Sequence, residues 1–273
     1  MNIAEQITNC IKLGLMEDDA IAKVCGEIIL SKIAKSSKSR NVTIKGGVVM
    51  MNISKDLRRA TRDLDLDFIK YSLADDSIKK FINRLNEVND DIKLVIQSRI
   101  TGLRHQDYKG KRVILNISDK FKNSYEFKLD IGVHKNLDLK QEELCFDFNS
   151  MPESVCLLVN SKEQILAEKL KSLLKFGFGT GRYKDVFDIY YLIEINPVDK
   201  NILKFLLDDY IIKNAEMWEN NYNSVYNRLL EIFENRDFYN SLSNARDNWL
   251  ELPIDEIIGS ILNFFELFET VEV

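Results

Sequence analysis

Asp63, Asp65 and Asp67 alternate with Leu64, Leu66 and Phe68, and Lys45-Gly46-Gly47 stands some fifteen residues ahead of them. On a β-strand, successive side chains point to opposite faces, so the three carboxylates share one face and the apolar residues take the other. Like charges at that spacing repel each other. A cation offsets the repulsion, and a set of oxygen ligands selects Mg²⁺ or Mn²⁺ over zinc. The glycines let backbone amides approach a phosphate closely. A phosphate-holding turn followed by spaced acids is the minimal kit for nucleotidyl or phosphoryl transfer. A charged, solvent-facing edge strand is the plainer reading of the same residues.

Further acids and one lysine extend the pattern. In Phe127-Lys128-Leu129-Asp130-Ile131-Gly132-Val133, Asp130 shares a face with Lys128 and Gly132, and it is a candidate third metal ligand. Lys169 lies four residues from both Ile165 and Leu173, on the packed stripe of a helix, so it must snorkel out or meet a negative partner. That partner could be a bound triphosphate or the aspartate cluster. Asp185 and Asp188, three apart, share a helix face, with Arg182 placed for a local ion pair. Gly177, Gly179 and Gly181 lack the strand-before, helix-after context of a P-loop and read as a connector. No nucleophile arrangement of the Ser/His/Asp or Cys/His type can be assembled, and His105 and His134 stand alone.

The elements that must position these residues follow from periodicity. Ile3, Ile7, Ile11 and Leu15, then Ile21, Val24, Ile28, Ile29 and Ile33, predict two helices over 3–36. A short strand at 42–44 leads into the glycines, with a helix from Val48 to Ile53 behind them. A helix is expected around Ile78–Leu85, then strands over 93–103, 112–117 and 125–133, joined as an antiparallel meander by turns at 107–110 and 122–124. A last strand covers 155–159. Ser161 and Gln164 have capping-box spacing, and from there the chain reads as helical, with Phe205, Trp218, Phe233, Trp249, Phe264 and Phe265 as core aromatics.

Composition bounds the class. With 273 residues, 45% hydrophobic and 30% charged, the chain can bury a substantial core in one or two domains. No apolar run reaches membrane-span length and Met1–Gln6 lacks a signal pattern, so a cytoplasmic location and no membrane partner are expected. Cys10, Cys25, Cys145 and Cys156 are scattered, which predicts small core hydrophobes rather than zinc ligands or disulfides. The net charge of −5 argues against nucleic-acid attraction by the whole molecule. Local basic clusters remain, at Lys55, Arg58, Arg59 and Arg62 and at Lys109, Lys111 and Arg112.

Taken together, Lys45-Gly46-Gly47, Arg59-Ala60-Thr61-Arg62-Asp63-Leu64-Asp65, Leu129-Asp130-Ile131, Ala167-Glu168-Lys169-Leu170 and Arg182-Tyr183-Lys184-Asp185 with Asp188 resemble the AbiEii/AbiGii family of nucleotidyltransferase toxins, a branch of the polymerase β-like nucleotidyltransferases. The resemblance covers most of residues 20–195. Gly46-Gly47 and Val48-Val49-Met50-Met51 depart from the Gly-Ser and Thr-Ala-Leu of many relatives. The resemblance implies an α+β fold: a polymerase β-like nucleotidyltransferase core at 1–159, with a mixed or antiparallel sheet flanked by helices, and a helical C-terminal domain at 160–273 that completes the active-site cleft. It implies Asp63, Asp65 and Asp130 as metal-binding and catalytic, and Lys169 and Asp185 as further catalytic residues. Lys45, Gly46, Gly47, Thr61 and Lys169 would hold the nucleotide. Asp67 extends the row without an assigned ligand role.

The implied activity transfers a nucleoside monophosphate from a nucleoside triphosphate to an acceptor hydroxyl, with Mg²⁺ or Mn²⁺. The implied setting is a type IV toxin–antitoxin or abortive-infection phage-defence system with a separately encoded antitoxin, the 3′ end of transfer RNA being one acceptor. A kinase-like phosphotransferase and a non-catalytic nucleotide-binding toxin component use the same parts and stay open.

Overall fold

In the computed structural model, α1 (Ile3–Lys12) begins at Asn2, whose side chain accepts from the Glu5 amide. α2 (Glu17–Lys35) opens on Glu17, Asp18 and Asp19 and closes with Lys32 and Lys35, a charge order that suits the helix dipole. Buried residues surround most of α2, so it is a central helix with no broad wet face. There follow β1 (Val42–Lys45), α3 (Gly47–Ser54), β2 (Asp63–Phe68), α4 (Asp75–Leu85), β3 (Lys93–Ile96), β4 (Thr101–Gly102), β5 (Lys111–Ser118), β6 (Ser124–Val133), β7 (Glu142–Phe146) and β8 (Val155–Val159). The structure describes residues 1–103, 110–134, 139–148, 153–179, 181–245 and 248–268. The expected turn at 107–110 falls mostly outside them, as do His105 and Lys109.

The strands form one sheet in the order β3-β5-β6-β2-β1-β8-β7, with β4 on β5. It is mixed: β2 runs antiparallel to β1 and parallel to β6, and β8 runs parallel to β1. With helices around it the fold is α+β. The acidic strand β2 therefore sits mid-sheet and not at an edge. Its alternation does what the residue types demand: Leu64, Leu66 and Phe68 are fully buried. Phe68 meets Phe81 of α4 edge-to-face, centroids 5.1 Å apart.

Three expectations for this part of the chain change. The segment 93–103 is two short strands, β3 and β4, rather than one. β7 carries no strong strand signal, yet it pairs antiparallel with β8 and places Cys145 opposite Cys156. These two are bonded as a disulfide, contrary to the reading of all four cysteines as core hydrophobes. Directly opposed residues on antiparallel neighbours bring their Cβ atoms within bridging reach, and only the register reveals this. Cys10 and Cys25 are buried and free, as expected.

Residues 1–160 and 161–273 are two compact units. The second holds α5 (Lys162–Phe176), α6 (Tyr183–Tyr190), α7 (Lys200–Leu207), α8 (Tyr222–Glu234), α9 (Arg236–Ser243) and α10 (Ile254–Phe268). Ser161 and Gln164 close the capping box at the start of α5. Phe233, Trp249 and Phe265 are core residues, but Phe205 is 58% and Trp218 94% exposed. α7 packs through Leu203, Leu206 and Leu207, which turns Phe205 outward. Trp218 lies in the irregular stretch between α7 and α8, where helical periodicity does not apply. Among the described residues no helix is long and apolar enough to cross a membrane.

Candidate active site

The glycines are explained by what surrounds them. Gly46 takes φ 67°, ψ −140° at the junction of β1 and α3, a conformation open to glycine. A Cβ there would fall 2.8 Å from Asp65 Oδ2, and one on Gly47 would fall 2.5 Å from Thr61 Oγ1. The turn is thus pressed against the acidic strand and the Thr61 hydroxyl. No side chain caps the first turn of α3, so its leading amides are left for an anion.

Strand register gathers the charges. Lys45 is opposite Asp65 on one side, and Asp130 is level with Asp65 on the other. Lys45 Nζ lies 2.9 Å from Asp67 Oδ1, and both side chains are buried. Thr61 Oγ1 donates to Asp63 Oδ1 at 3.3 Å. Asp65 itself is pushed up to about 7, first by burial and then by Asp63; Asp130 and Asp67 add to the effect and Lys45 opposes it. The row therefore carries more negative charge than its own cations neutralise.

Asp130 is buried on β6 and has a bidentate partner. Arg112 of β5, its cross-strand neighbour, donates from Nε at 2.8 Å and from Nη2 at 2.7 Å. That geometry is the strong form of a carboxylate pair. Among the described residues no three His, Cys, Asp or Glu side chains are arranged to hold a metal ion. Asp63 and Asp65, half-buried on one face, still suit a hard cation, because Mg²⁺ is commonly bound by one or two carboxylates together with substrate phosphates. Lys45 and Arg112 engage Asp67 and Asp130, so Asp63 and Asp65 are the acids of the group left to face an added cation.

In the second unit Lys169 does not snorkel. Its ammonium lies 2.6 Å from Asp185 Oδ1 and 2.7 Å from Asp188 Oδ2, and Asp188 is completely buried. Arg182 Nη1 approaches Asp185 Oδ2 at 3.6 Å, the local pair its spacing allows. The face shared by Asp185 and Asp188 on α6 is thus occupied by a cation from α5.

The structure brings Lys45, Gly46, Gly47, Thr61, Asp63, Asp65 and Asp130 together in the first unit, and Lys169 and Asp185 together in the second. Sequence reasoning missed the partners: Arg112 for Asp130, Asp67 for Lys45, and Asp188 for Lys169. Arg59, named from sequence only within a basic cluster and a family motif, is buried beside the turn, with Nη2 3.5 Å from where a Gly47 Cβ would sit. The local basic clusters largely face acids: Arg58 pairs with Asp56, Arg62 with Asp18 and Asp19, and Lys111 with Asp75.

Comparison with known proteins gives two results. The family model for the nucleotidyl transferase AbiEii toxin of type IV toxin–antitoxin systems matches residues 28–255. Among solved structures, an antigenic nucleotidyltransferase-like protein from Paracoccidioides brasiliensis is similar at 18% identity and a TM-score of 0.44, over 81% of this chain and 91% of that one. No curated protein sequence matches.

Proposed function

The chain belongs to the AbiEii family of nucleotidyl transferase toxins, and on that premise we propose that it moves a nucleoside monophosphate from a nucleoside triphosphate to an acceptor hydroxyl. The observation that carries the reading is the contact of the glycine turn with the acidic strand, where a Gly46 Cβ would fall 2.8 Å from Asp65. A phosphate held by the α3 amides would lie beside carboxylates with charge to spare.

In this reading the Gly46-Gly47 turn and the start of α3 hold the triphosphate, with Thr61 fixing the turn and Asp63 together. Asp63 and Asp65 would hold Mg²⁺ or Mn²⁺, which would offset charge on the phosphates and the leaving oxygen. Lys45, already paired with Asp67, keeps a positive charge beside them. Asp130 takes the proton of the attacking hydroxyl once Arg112 yields its carboxylate. The new bond joins the acceptor oxygen to the α-phosphorus, the α–β phosphoanhydride breaks, and pyrophosphate leaves. Lys169 is held by Asp185 and Asp188 within the second unit.

The natural acceptor in this reading is the 3′ end of transfer RNA, and a separately encoded antitoxin is the protein partner. The basic residues near Asp63 would guide an RNA only weakly, because acids already face most of them. Each α-labelled nucleoside triphosphate, incubated with the protein, Mg²⁺ and total cellular RNA, tests the reading. Label in RNA of transfer-RNA size is expected with the wild type and not with Asp65→Asn. Pyrophosphate release with label in protein would redirect the acceptor. Nucleoside diphosphate as product would favour γ-phosphate transfer, and no turnover with either metal would leave a binding-only toxin component.

A further inference from the structure

One cavity of the first unit adjoins this scheme and extends beyond it. It holds about 270 Å³ between α2 and α3 and reaches the start of β2. Ala22, Gly26 and Leu30 of α2 and Val48 and Met51 of α3 face each other across it, with the rings of Phe127, Phe146 and Phe148 as further walls. A Cβ on Gly26 would lie 3.7 Å from the Phe127 ring, which brings α2 and that ring to ordinary contact distance. Phe146 and Phe148 lie 6.1 Å apart, centroid to centroid.

Polar side chains make up about half of the lining, Lys55, Asp56 and Asp147 among them. Lys23 and Glu27 form an ion pair in the α2 wall, and the Glu27 side chain is only 3% exposed. A buried carboxylate in an otherwise apolar wall is costly even when paired. Asn52 adds an amide, and Thr61 and Asp63 close the end that meets the glycine turn. Aromatic walls with convergent polar groups are the general form of a small-molecule site, here at a volume just below the usual range.

We propose that this cavity is a nucleobase subsite. A base is flat, stacks on aromatic rings and presents N–H donors along one edge, which a carboxylate accepts. Glu27 thus favours bases with an exocyclic amino group over uracil. Thr61 and Asp63 belong both to the cavity and to the proposed phosphate and metal site, so a base seated here has its sugar leading toward them. The proposal rests on the nucleotidyl-transfer reading and names where a substrate base sits. That base belongs either to the donor triphosphate or to the terminal nucleotide of the acceptor, and both share this chemistry.

The test uses the full chain and the four free ribonucleosides, followed by saturation-transfer NMR. Amino-bearing nucleosides are expected to bind more tightly than uridine. Ala22→Leu, which fills the cavity, should weaken binding about tenfold. Glu27→Gln should erase the preference over uridine. Where Ala22→Leu melts at a lower temperature than wild type, Leu57→Trp at the exposed rim serves instead. No binding, or binding untouched by both filling variants, overturns the proposal. A filling variant that raises KM for the triphosphate assigns the base to the donor, and one that raises KM for RNA assigns it to the acceptor. Unchanged KM for both overturns the subsite. Label transfer to RNA without nucleoside binding defeats this subsite alone, whereas nucleoside binding without transfer defeats the transferase reading and leaves the cavity.

Discussion

Two clusters of buried charge in this chain are built on opposite principles. In the first unit, Asp63, Asp65 and Asp67 share a strand face with Asp130 alongside, and the cations facing them, Lys45 and Arg112, are bound to Asp67 and Asp130. Asp65 is left with repulsion and burial against it, and its proton is held up to about 7. In the second unit, Lys169 sits between Asp185 and Asp188 at hydrogen-bonding distance from both. The first cluster holds more carboxylates than cations, while in the second a lysine is shared by both acids. An open cluster is one that an added cation would stabilise, and a closed one is not.

The sharpest way to break the comparison is to remove charge from the incomplete cluster. Asp65→Asn should lower nucleotidyl transfer about a thousandfold, the several kcal/mol a metal supplies, while its melting temperature stays level or rises. A melting temperature that falls with activity would make the acidic row structural. In the closed cluster the sign of the stability effect reverses. Lys169→Met strands a fully buried Asp188 and a largely buried Asp185 without their cation, and should cost about 3–5 kcal/mol in denaturant unfolding. A neutral result would show the triad to be relaxed by water.

pH sharpens the contrast further. Because Asp65 is raised in the fold from an ordinary value of 3.8 to about 7, the folded state holds its proton longer than the unfolded chain does. Its contribution to stability is therefore present below about pH 4 and declines as pH climbs toward 7. Thermal unfolding without metal should show wild type losing ground to Asp65→Asn across that window, with Mg²⁺ restoring part of it. Parallel curves would mean that Asp65 titrates normally. The smallest effect is expected at Arg112, which is partly exposed. Arg112→Gln frees the Asp130 carboxylate, so half-maximal transfer should need severalfold less Mg²⁺, by about 1 kcal/mol of binding. An unchanged metal requirement would mean that the charge of Arg112 does not act on the ion held by Asp63 and Asp65.

Much of this was legible beforehand. The alternation from Asp63 to Phe68, the glycine turn and the Ser161–Gln164 capping box are local patterns whose meaning depends on neighbours a few residues away. β7 was not legible, since Glu142-Glu143-Leu144-Cys145-Phe146 has little alternation and gains its hydrogen bonds only from β8. Trp218 misled because its size argues for burial, whereas an irregular segment imposes no face on it. Lys169 was correctly placed on a packed stripe. Its partner was legible only as a sign, because Asp185 and Asp188 belong to another helix.

The sequence by itself determined which residues share a face and where the chain must turn on glycine, because side-chain direction and backbone freedom are short-range properties. Tertiary structure alone decided that Arg112 engages Asp130, that Lys45 leans to Asp67 and not to its register partner Asp65, and that Cys145 meets Cys156. Those pairings depend on strand register and helix contact between residues distant in the chain. There, one residue of slip would exchange every partner.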